Sequence, residues 1–118
     1  MTVVYHESSA ELSSPTRDIH RAIATLVEEW EAVDWYQQRM DLTDDEELQA
    51  LLKHNRDEEI EHAAMALEWL RRKIPEVDKQ HRVYLFKTEP ITEIEEGTKS
   101  DESAKMGPAG LGIGKVNK

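Results

Sequence analysis

Residues 54–73 read HNRDEEIEHAAMALEWLRRK, and two polar residues within them decide the fold. Leu48, Leu52, Asn55, Glu59, His62, Ala66 and Trp69 follow one another in steps of four and three, the spacing of a packing seam on one helix. Glu59 and His62 therefore stand where a helix in water should carry Leu or Ala, one turn apart on the same side. Leu51, Ala63, Leu67 and Leu70 widen the stripe, so the pattern predicts a helix from Asp44 to Lys73. Thr43 and Glu46 are spaced for a capping box at its start, and Pro75 ends it.

The preceding segment has the same period. Ile19, Ile23, Leu26, Trp30 and Val33 mark a first helix reaching Met40. Ser14 is its expected N-cap, with Pro15 at the first helical position. The seam of this helix is Ala22, Leu26, Glu29, Val33, Tyr36 and Met40. Glu29 is thus inward as well, and Tyr36 lies two turns further along the same line. Only Asp41, Leu42 and Thr43 separate the helices, so two rods, each roughly 40–45 Å long, must fold back on each other.

The expected fold class is therefore all-α, an antiparallel two-helix hairpin plus a short C-terminal helix from Pro75 through Tyr84-Leu85-Phe86. A lone hairpin covers only one side of each helix, too little to offset chain entropy. Two hairpins dimerising into a four-helix bundle would bury the wide stripes. The domain reading is 1–13 irregular, 14–86 helical hairpin domain, 87–107 flexible acidic linker, and 108–118 a Gly-rich end with apolar Leu111, Ile113 and Val116.

Composition narrows the function classes. Acidic residues number 25 and basic residues 15, a net charge of −10 over 118 residues. Nucleic acid demands the opposite surface, whereas cations are favoured partners of this one. With no cysteine, disulfides and thiolate metal sites are excluded. The first residues, MTVVYHESS, lack the basic and apolar regions of a signal peptide, and no stretch approaches the roughly 20 apolar residues of a membrane span. The expectation is a cytoplasmic protein with no membrane partner.

A lone seam histidine is usually a satisfied core residue, and Arg56 stands near enough to be a rival partner for the carboxylates. Two inward Glu, one His and one Tyr on facing helices point further, because an unpaired buried carboxylate is costly and is normally neutralised or metal-bound. Di-iron carboxylate bundles use one Glu from each of two helices and Glu-x-x-His from each of the other two. Glu29 with Glu59-x-x-His62 is half of that set, and a two-fold axis completes it. Carboxylates with imidazole suit iron or manganese. Glu28, Glu31 and Trp35, at i, i+3 and i+7, read by spacing alone as an ordinary solvated face, though one close enough to Glu29 for a cation path. The alternative from another class is a non-catalytic interaction module whose seam holds Ca²⁺, Zn²⁺ or Mn²⁺ without turnover.

The segments HRAIATLVEEWEAVDWYQQR (20–39), HNRDEEIEHAAMALEWLRRK (54–73) and YLFKTEPIT (84–92) resemble the encapsulated ferritins. That resemblance implies a ferritin-like dimer with a di-iron ferroxidase centre between subunits, two iron ions per interface, and a ring of five dimers. It places the ligands on Glu29, Glu59 and His62, with Tyr36 beside the metals as a fourth catalytic residue. Glu28, Glu31 and Trp35 match positions around a metal entry path. The end, GLGIGKVNK, is similar to peptides that load cargo into encapsulin shells, with Leu111, Ile113 and Val116 as anchors. Family members often have Leu where Val116 stands. The implied function is oxidation of Fe²⁺ with O₂ and delivery of the product into an encapsulin nanocompartment.

Overall fold

The computed structural model describes residues 3–105, with side chains for 3–102. The described residues form four α-helices, α1 (Ser14–Leu42), α2 (Glu46–Lys73), α3 (Pro75–Tyr84) and α4 (Ile91–Lys105), after a short 3₁₀ turn (Ser9–Glu11), with no strand among them. The all-α expectation holds. None of these helices is long and apolar enough to cross a membrane. Two compact units divide after Lys73.

In the first unit, α1 and α2 pack as a hairpin with α2 presenting Leu52, Ala63 and Leu70 as its buried apolar residues. Ala63 is the most completely covered, at 1% exposure, and so small a side chain lets α1 approach closely. Much of the remaining apolar surface faces outward, with Trp30 half-exposed and Leu51 and Met65 more exposed still. Both expected caps are displaced along the chain. Ser13, one residue before Ser14, accepts the Thr16 N–H at 3.3 Å, because Pro15 is then held in the first turn where its missing N–H is not needed. At α2 the cap is Asp45, whose carboxylate accepts the Leu48 N–H at 2.8 Å. Thr43 instead accepts the Asp45 N–H at 3.2 Å and forms no box with Glu46. A carboxylate at the positive helix end outcompetes a hydroxyl two residues away. The N-terminal segment is tied to α1 by Arg17, which donates to the Ser9 carbonyl at 3.0 Å, and by Tyr5 stacked on His20 at 3.9 Å.

In the second unit, Ile74 precedes α3 and Pro75 opens it. Leu85 and Phe86 follow its last residue, Tyr84, and Phe86 is held at φ 61° with its ring fully exposed. Residues 91–105 were expected from composition to lack regular structure, yet they form α4. The Pro90 carbonyl accepts the Glu93 and Ile94 N–H groups at 3.0 and 3.2 Å, and Glu95 pairs with Lys99 at 3.5 Å, one turn on. Local caps and i, i+4 pairs of this kind sustain a helix that buries little. Leu111, Ile113 and Val116 lie outside the described residues.

Candidate metal centre

Glu29 of α1 and Glu59 and His62 of α2 converge midway along the hairpin, each offering a ligand atom within 4.8 Å of the others. Among the described residues this is the group of His, Asp and Glu side chains so gathered. The i, i+3 spacing stacks Glu59 and His62 on one side of α2, and the packing of α1 against α2 brings Glu29 to the same point.

The local electrostatics are those of a site short of positive charge. Glu29 Oε2 is sealed from solvent and has no hydrogen-bond partner. His62 Nδ1 comes within 3.3 Å of it and 3.9 Å of Glu59 Oε1, close enough for attraction but without an aligned hydrogen bond. Glu59 is held above the ordinary carboxylate value, first by a hydrogen bond with the Glu29 carboxyl, which needs a proton between them. Burial and repulsion from Glu29 add to this, while His62 opposes it. Two carboxylates placed this close favour the uptake of a proton or a cation between them.

Arg56 does not supply the missing charge. Its guanidinium donates to Gln37 Oε1 at 2.6 Å and to Asp57 Oδ1 at 2.9 and 3.1 Å, so the rival pairing with the seam carboxylates is replaced by a cross-helix clamp. The cluster is closed on one side only. The side chains of Glu29 and Glu59 are 19% and 25% exposed, and that of His62 is 47% exposed. Three side chains supply at most two carboxylates and one imidazole, a donor set that fits a hard divalent ion but leaves its coordination incomplete.

The other predicted residues stand apart from this cluster. Tyr36 is half-buried on α1 with the Arg39 guanidinium 5.5 Å over its ring, two turns beyond Glu29. On α1 beside the cluster, Glu28 is exposed, Glu31 half-buried and Trp35 half-exposed. The sealed, unpartnered oxygen of Glu29 carries no sequence signal, because it depends on how closely the helices pack.

Known proteins resemble this chain over most of its length. The EncFtn-like family pattern matches residues 4–88. A ferritin-like protein of Thermotoga maritima is 52% identical over 107 residues, covering 91% of this chain and 94% of its own. An encapsulated ferritin-like protein of Rhodospirillum rubrum is 48% identical over 120 residues, covering 94% of this chain and 86% of its own. Among solved structures, protein ne0167 of Nitrosomonas europaea superposes with a TM-score of 0.72 at 59% identity, over 74% of this chain and 96% of that one. Both carboxylate-bearing helices fall inside the matched segment, and the chain belongs to the EncFtn-like family.

Proposed function

We propose that this protein is a ferroxidase that oxidises Fe²⁺ to Fe³⁺ with O₂ at a centre shared between two copies of the chain. A ferritin-like, iron-related function follows from the family. The observation that carries the finer reading is the convergence of Glu29, Glu59 and His62 around a sealed carboxylate oxygen with no hydrogen-bond partner. One chain offers half of the ligand set of a di-iron bundle. A second chain across a two-fold axis supplies the same three residues again, and covers the exposed side of His62.

The residues divide the work by position. Glu59, central on α2, is assigned to bridge two substrate ions. Glu29 and His62 hold each ion from the sides, and Tyr36 orients a ligand by hydrogen bonding. Each of two Fe²⁺ gives one electron to O₂, which takes up the two electrons with two protons and leaves as hydrogen peroxide. Four carboxylates around the pair favour the more highly charged ferric product, which makes each Fe²⁺ easier for O₂ to oxidise. Glu28, Glu31 and Trp35 line the approach, where exposed acidic groups concentrate hydrated Fe²⁺. Other divalent cations such as Ca²⁺, Mn²⁺ or Zn²⁺ fit the same donors without turnover.

The name of the Rhodospirillum rubrum relative, an encapsulated ferritin-like protein, supports a place inside an encapsulin shell in the cytoplasm. Leu111, Ile113 and Val116 are the proposed anchors to its inner wall, and five dimers form the proposed ring. Anaerobic addition of Fe²⁺ followed by air tests the activity. Ferric absorbance should grow at a catalysed rate in the native protein. In Glu59→Ala/His62→Ala it should fall by more than the roughly 10–100-fold loss seen for an outer-shell partner. Native-rate oxidation by that variant would remove the proposal.

A further inference from the structure

Arg56 stands three residues before Glu59 on α2, a spacing at which a guanidinium and a carboxylate ordinarily meet. The same helix shows that pairing elsewhere, where Arg71 reaches Glu68 at 2.7 Å. Arg56 is also largely withdrawn from water, its side chain 22% exposed, and Glu59 shares its place with a second carboxylate, Glu29. Arginine is the side chain best suited to enter such a pair, since its planar fork binds carboxylates two bonds at a time and keeps its charge. Yet Glu29 Oε2 is left with no hydrogen-bond partner.

The groups around the guanidinium account for this. Nη1 donates to Gln37 Oε1 of α1 at 2.6 Å, while Nε and Nη2 both donate to Asp57 Oδ1, at 3.1 and 2.9 Å. All three nitrogens are thereby engaged. Asp57 is fixed in turn by Lys53, whose ammonium donates to Oδ2 at 2.8 Å. By helical period Lys53 and Asp57 stand on the far side of α2 from the line of Glu59 and His62. The charge of Arg56 is drawn away from the seam.

We infer that Gln37 and Asp57 keep the metal centre open by retaining Arg56, which would otherwise enter the seam and bind Glu29 and Glu59 in place of a cation. They are positioning residues, acting on the centre only through the guanidinium. A metal ion then meets vacant carboxylates and has no ion pair to expel. Where Arg56 does occupy them, apparent affinity falls in proportion to the fraction of chains left free. The inference rests on the reading of Glu29, Glu59 and His62 as a metal site, and it is separable from turnover.

Mn²⁺ binding to the full-length protein, followed by the electron paramagnetic resonance of the free ion, tests it without oxidation chemistry. Binding that disappears in Glu59→Ala/His62→Ala defines the ions held at the centre. In Gln37→Ala/Asp57→Ala those ions should bind about 10–100-fold more weakly, the scale for partners that orient a metal site from outside its ligands. Adding Arg56→Gln should return the affinity to the native value. That rescued protein lacks the cross-helix clamp as well, so a merely structural role for the clamp predicts no rescue. Adding Lys53→Gln instead restores the same net charge and should not rescue. A crystal structure of the metal-free Gln37→Ala/Asp57→Ala protein should show the guanidinium against Glu29 or Glu59. Native affinity in that variant, equal rescue by Lys53→Gln, or a guanidinium turned to solvent each overturn the inference and leave the metal site standing. Identical Mn²⁺ binding by the native protein and Glu59→Ala/His62→Ala removes the metal site and the inference with it.

Discussion

At the scale of single residues, Glu59 and Glu68 respond to pH in opposite senses. Glu59 binds its proton more tightly in the folded chain than its ordinary value of 4.5 implies. Its contribution to stability is therefore full below 4.5 and is lost as pH rises through the raised value. Glu68 is held down to about 2, first by Arg71 and then by Arg72, whose guanidinium nitrogens sit 2.7 and 2.8 Å from its oxygens. Its contribution is present above 4.5 and lost as pH falls towards about 2. Metal-free native protein should accordingly lose melting temperature relative to Glu59→Gln as pH rises from 4.5. A difference between the two that stays flat with pH would contradict the shared proton. Iron added at neutral pH should remove the penalty, since a cation replaces that proton.

The residues of this cluster were legible because each breaks a helical pattern. Glu29, Glu59 and His62 are polar side chains in otherwise apolar seams, and period alone places them on facing sides. What period cannot give is which neighbour wins a contest. Arg56 stands as near to the seam as any basic residue, but its clamp on Gln37 and Asp57 depends on side-chain geometry across the hairpin.

At the scale of helices, caps decide where the rods begin. Asp45, followed by Glu46 and Glu47 in the first turn, fixes the start of α2 and with it the register that carries Glu59 opposite Glu29. Asp45→Ala should cost about 1 kcal/mol, measured by urea denaturation of the metal-free protein. Thr43→Ala should cost less, since its hydroxyl meets the Asp45 N–H and not the helix itself. Equal losses would show that the two residues act as one cap. The sequence placed α1, α2 and α3 to within two residues at their ends and the caps one or two residues away, because Ser13 and Ser14, or Thr43 and Asp45, are equivalent to a pattern and differ only in backbone angles. Helix α4 was hidden for another reason. Its acidic composition signals low burial, and low burial alone does not exclude a helix closed by its own caps and pairs. The left-handed backbone of Phe86 is likewise invisible, since a bulky residue is the last to be expected there.

At the scale of the whole molecule, association and metal should be linked. Four inward carboxylates brought together in a dimer repel until divalent ions enter, so Fe²⁺ should move the protein from monomer or dimer towards the proposed ring. Native mass measurement with and without chelator checks this, and a distribution indifferent to both would count against it. The end of the chain should be separable from the chemistry. Deleting residues 108–118 should leave Fe²⁺ oxidation unchanged and abolish co-purification with a shell. Each tail offers two or three apolar side chains, each worth about 1.5–3 kcal/mol before ordering costs, so capture depends on many copies acting together. Packaging of the truncated protein would place the address elsewhere.

The scarcity of buried side chains on α2, where Leu52, Ala63 and Leu70 alone are buried, bears on how long a chain survives in the cell. A hairpin with so thin an interior opens locally at low cost, and proteases cut what opens. In the proposed dimer that interior is thickened by a second hairpin, so paired copies should resist proteolysis better than single chains. Turnover would then act as a census in the proposed assembly, matching the persisting subunits to those that completed a centre.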